Sequence, residues 1–194
     1  MNTDASASGM NRQQKILCVI LLLPFLLALS QIFGPKNFLP HLEIARASFY
    51  VSAALASIVS VWIAWLLRTG KINKDPLWHS HSFGKKCITV VGCPLMLWMI
   101  YHTSIGYAGP RIWTMLDSET RTVKYLVTTY RGGGRYSCNY QLESDQLDPV
   151  LFEVCVSREL WYRLPDRPFL ATFQVEQSAL GMTFEKFWVN SETR

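Results

Sequence analysis

No Asp, Glu, Lys or Arg occurs in about residues 16–34, 47–67 and 87–107 apart from the edges of these runs, and this absence excludes an ordinary soluble bundle. A soluble helix keeps a polar face, whereas these runs are apolar all round. Each is close to the roughly 20 residues needed to cross a ~30 Å hydrocarbon core. The chain therefore reads as an α+β membrane protein in which three transmembrane helices precede a small antiparallel β sandwich or barrel with one short helix. Residues 1–110 form the membrane domain, with a cytoplasmic loop at 68–86, and residues 111–194 form an exported β domain.

Other absences narrow the function. No His follows His102, so a Ser-His-Asp triad cannot be built from residues 111–194. Asp145, Asp148 and Glu153 are the nearest set of carboxylates there, but Asp-Gln-Leu-Asp-Pro is an ordinary polar turn. No Gly-Lys-Ser/Thr follows Gly132-Gly133-Gly134, which excludes a P-loop and leaves a hairpin turn. Arg131 and Arg135 flank that turn and are candidate contacts for an anion. His79 and His81 precede Cys87, yet no fourth ligand accompanies them, so no metal is expected. The chain also lacks an Asn-x-Ser/Thr sequon, which favours a bacterial inner membrane. Together these gaps predict a protein that is not an enzyme and carries no cofactor.

What charge there is marks orientation. Residues 1–110 hold nine Lys/Arg against three Asp/Glu, and residues 111–194 hold ten against eleven, so the net +5 comes entirely from the membrane half. Arg68, Lys71, Lys74, Lys85 and Lys86 crowd the second loop, which the positive-inside rule places in the cytoplasm. The N-terminus is then inside and the β domain outside, and no basic surface remains there for nucleic acid. Ala28-Leu29-Ser30 resembles a signal-peptidase site, but the apolar run continues through Phe33 and reads as an uncleaved anchor.

Five cysteines divide between the compartments. Cys18, Cys87 and Cys93 fall in the spans, while Cys138 and Cys155 are the two in the exported part and are expected to pair. Closing their loop of about 18 residues would contribute on the order of 3 kcal/mol. Within the second span Ser48, Ser52, Ala56, Ser60 and Ala64 make a ridge of small residues at every fourth position. Such ridges let backbones approach, either within the chain or in a homo-oligomer. His102 stands near the outer end of the third span beside Tyr101 and Tyr107, an interfacial anchor, and Pro24 and Pro94 mark bends.

Beyond the spans, Val123, Tyr125 and Val127 alternate with neighbours of the opposite face, and so do Tyr136, Cys138, Tyr140 and Leu142. Further strands fit 151–156, 169–175 and 182–189, with a short helix over 158–163 ended by Pro165. Two functions fit this layout. In the first, the exterior β domain binds another envelope protein in an accessory, assembly or protective (immunity) role, with the bilayer as the other partner. In the second, the spans form a small transporter or channel subunit.

Overall fold

The computed structural model describes residues 12–34, 37–71, 82–132, 138–145, 147 and 153–189. Three helices are long and apolar enough to cross a membrane: α1 (Arg12–Phe33), α2 (Leu42–Arg68) and a third helical run from Gly84 to Leu116. Their outward faces carry bare Leu22, Val61 and Ile88, a surface that only lipid or another apolar helix can cover.

The third run is longer than its apolar stretch suggests, because three pieces join end to end. They are α3 (Phe83–Thr103), a π turn (Ser104–Ala108) and α4 (Gly109–Leu116). The π turn has a local cause. Pro110 has no N–H to donate to Gly106, and the Gly109 amide instead reaches back five residues to the Ser104 carbonyl.

Pro24 opens a similar gap in α1 by leaving the Ile20 carbonyl without its helical donor. The Tyr101 hydroxyl donates to that carbonyl at 3.2 Å, and Ser104 Oγ donates to the carbonyl of Pro24 itself at 2.5 Å. Both bonds tie α1 to the third helix at the bend, where hydrocarbon would offer no substitute.

The strands form one antiparallel sheet of six, in the order β1-β6-β5-β2-β3-β4, curled into a half-barrel. They are β1 (Phe38–Pro40), β2 (Glu119–Tyr130), β3 (Gln141–Glu143), β4 (Val154–Cys155), β5 (Phe169–Gln177) and β6 (Gly181–Val189). The expected small antiparallel sandwich or barrel is met in part, by an antiparallel sheet that curls without closing. Alternation marks the inward face of each strand, but closure requires the first and last strands to pair, and β1 and β4 occupy opposite edges.

The sixth strand has no counterpart in the sequence pattern. β1 lies in the connection between α1 and α2, and it pairs with β6 through Phe38↔Thr183, Leu39↔Met182 and Pro40↔Gly181. Asn37 adds a side-chain bond to the Phe184 carbonyl at 2.9 Å. A Cβ on Gly181 would sit 2.6 Å from the Leu39 carbonyl oxygen, so only glycine lets β1 lie this close. The boundary at residue 110 is thus not a clean cut through the fold.

Val127, Phe169, Ala171, Phe173, Val175 and Phe184 build the core on the concave face. Val123, Tyr125 and Val127 point inward as their alternation requires. The short helix α5 (Arg158–Trp161) starts at Ser157, whose hydroxyl accepts the Leu160 amide at 3.3 Å.

Candidate functional site

The curl of the sheet leaves a seam between its two ends. On one side is β4, only two residues long, and on the other is β6 beyond Phe184, since β1 covers residues 181–183 of that strand and Asn37 takes both backbone groups of Phe184. A cavity of about 280 Å³ lies in the seam. Glu153 and Cys155 wall it on one side, Phe184 to Phe187 on the other, with Phe173 at its back.

Cys138 and Cys155 are joined in a disulfide with Cα atoms 5.7 Å apart, the pairing expected for the two cysteines outside the apolar runs. Cys18, Cys87 and Cys93 are free thiols on the helices. The disulfide holds the chain before β3 against β4, and Glu153 Oε2 accepts the Cys138 amide at 3.2 Å. Cys138, Glu153 and Cys155 are the one set of metal-ligand types gathered within 4.8 Å among the described residues. Their sulfurs are bonded to each other, so neither is available as a thiolate ligand.

Tyr125 stands on the same concave face, with its ring 6.1 Å from those of Phe173 and Phe184 and its hydroxyl 3.7 Å from Met182 Sδ. Burial raises its pKa above the ordinary tyrosine value because the phenolate would lose its hydration. The lining of the seam holds no histidine to act as a base beside it. What the seam offers is an aromatic trough rimmed by Asn37, Glu153, Glu185 and Lys186, beside the part of the β6 edge that β1 does not reach.

A polar cluster lies in the helices. Ser48 Oγ is 3.1 Å from His102 Nδ1, and a Cβ on Gly106 would come 2.5 Å from the same Ser48 oxygen. His102 stacks on Trp98 and meets the edges of Phe49 and Tyr107. The small residues of α2 explain the close approach. Ser48, Ser52 and Ala56 are buried against the third helix, Ser60 is half-buried, and Ala64 is exposed. A row of fourth positions turns about 40° per step on a 3.6-residue helix, so it leaves the contact face, and Val59 and Leu66 take over.

Arg131 is exposed at the end of β2, while Arg135 lies outside the described residues, as do His79, His81 and Asp148. Asp145 is exposed and is not gathered with Glu153. Sequence reasoning missed the seam because it depends on β1, and it missed the π turn, whose one signal is the Gly109-Pro110 step.

Three membrane-length helices joined to an open, curled antiparallel sheet define the class of this protein. No family model, curated protein or solved structure matches the chain.

Proposed function

We propose that this is a non-catalytic protein of a bacterial inner membrane whose exterior sheet binds an extended segment of another envelope protein. The observation that carries the reading is the seam. It pairs an uncovered β6 edge with an aromatic trough, which are the two things strand addition uses: backbone hydrogen bonds for affinity and a pocket for alternate side chains. The orientation rests on the Lys/Arg crowding between α2 and α3, with the N-terminus in the cytoplasm. A disulfide in the sheet beside free thiols in the helices fits an oxidising exterior. An accessory, assembly or protective role all use such a surface.

The test is photocrosslinking on intact cells from a reactive residue at Lys186, which is exposed beside the seam. One saturable partner, lost when Phe187→Asp is added, supports the reading. Self-crosslinks alone sink it and transfer weight to the spans. The transporter alternative is favoured by the Ser48–His102 contact, a polar pair inside the helices. Under that reading His102→Phe abolishes function while the crosslink is unaffected. A homo-oligomer through α2 would have to use the Ala64 end, because Ser48 to Ala56 already pack within the chain.

A further inference from the structure

Two cavities adjoin the turn Ser178–Leu180 between β5 and β6, and their linings differ completely. The first, about 380 Å³, is polar and includes His41, Asp117, Glu119, Arg121 and Ser178. The second, about 530 Å³, is apolar and includes Leu27, Ile44, Ile105, Pro110 and Leu180. The two are staggered along the same elements. His41 lines the polar cavity and Ile44, about one helical turn further along α2, lines the apolar one. Ala179 faces the first and Leu180 the second. Along the third helix, Pro110 borders the apolar cavity and Asp117, about 10 Å further on by helical rise, borders the polar one.

The order of these elements fixes the level of each cavity. Ile112, Met115 and Leu116 are exposed apolar residues on α4, and Asp117, Ser118 and Glu119 follow directly as the chain leaves the helix. The polar cavity therefore sits where hydrocarbon gives way to headgroups, a layer about 5–7 Å deep on each face.

We propose that these cavities together hold one phospholipid bearing a primary ammonium and a phosphate, with its headgroup in the polar cavity and an acyl chain in the apolar one. Arg121 supplies the fork of donors that fits a phosphate. It already reaches Glu119 at 3.0 Å, so that pair brackets the headgroup with both signs of charge. The Asp117 carboxylate makes no hydrogen bond or ion pair among the described residues and is open to accept from an ammonium. Two carboxylates against one guanidinium reject an anionic headgroup. A choline headgroup carries no N–H to donate, so ethanolamine is selected over it.

The full chain, reconstituted in nanodiscs of equal phosphatidylethanolamine and phosphatidylcholine, then gently extracted, is read by native mass spectrometry. The expected result is one retained lipid, enriched for phosphatidylethanolamine about fivefold, or roughly 1 kcal/mol. Asp117→Asn with Glu119→Gln brings that ratio to near unity, and Leu27→Trp, which fills the apolar cavity, lowers retention with every charge in place. Both variants are compared at an unchanged melting temperature, and if one of them unfolds the other carries the test. A bulk lipid ratio in the parent chain overturns the proposal, as does enrichment untouched by the carboxylate changes. Displacement by soluble phosphoethanolamine would assign the site to a free ligand and overturn it too.

Discussion

Between α2 and the π turn there is room for a hydrogen atom at Gly106 and little else. Gly106→Val is expected to lower stability by about 1–3 kcal/mol, as overpacking does. Ser48→Gly should recover part of the loss, and a double-mutant cycle on melting temperature in detergent measures the coupling. Tyr125 gives a prediction with a sign. Its pKa is raised by burial, so the unfolded chain ionises first, at about pH 10, and the folded chain later. Its stabilising contribution is complete below about pH 10 and is lost as pH rises through the folded value. Tyr125→Phe should flatten the alkaline limb of a stability–pH curve, and an unchanged limb refutes this. Ser48, Ser52 and Ala56 are legible in the sequence because small residues at every fourth position signal close packing. The partner Gly106 is not, since one glycine in an apolar helix has many readings until the facing serine is placed.

Among the elements, β2, β5 and β6 are legible because long alternating runs have no other economical fold. β3 and β4 have only three and two residues, and their pairing leans on the disulfide that the cysteine count predicts. Replacing Cys138 and Cys155 with Ser is expected to cost about 3 kcal/mol by the loop-entropy estimate. Proteolysis should then cut first around β3 and β4 and leave the β2–β5–β6 part protected. β1 has no period to read and contains Pro40, which is tolerated at an edge. Phe38 is 2% exposed at that edge. Phe38→Ala should cost about 3–5 kcal/mol, the range for a buried aromatic. Hydrogen exchange would report it as early opening of residues 181–184.

For the molecule as a whole, the number of spans can be read without a structure, because a bilayer imposes a length and tolerates few charges. The layering of the strands cannot. Inward alternation is the same for one curled sheet as for two facing sheets, and only the pairing of each edge decides. Here that decision depends on three residues between α1 and α2, so the β domain and the membrane domain are built together. A fragment of residues 111–189 expressed alone is accordingly expected to lack the β1 edge and to melt lower than the intact chain. Adding a peptide covering residues 37–41 should raise its melting temperature, and no response to the peptide would contradict the interdependence.

The β1–β6 pairing also sets an order of events during synthesis. Asn37 meets Phe184 across 147 positions of chain. The ribosome releases the first of these well before the second. At about 5–20 residues per second, the earlier segment waits roughly 7–30 s for its mate. Throughout that interval an edge with unsatisfied amides and a bare phenyl ring is presented to whatever stands nearby, and a transcript ending short of residue 181 would leave it so permanently. Failed copies of this protein therefore carry their own label, a short apolar strand that no finished copy displays.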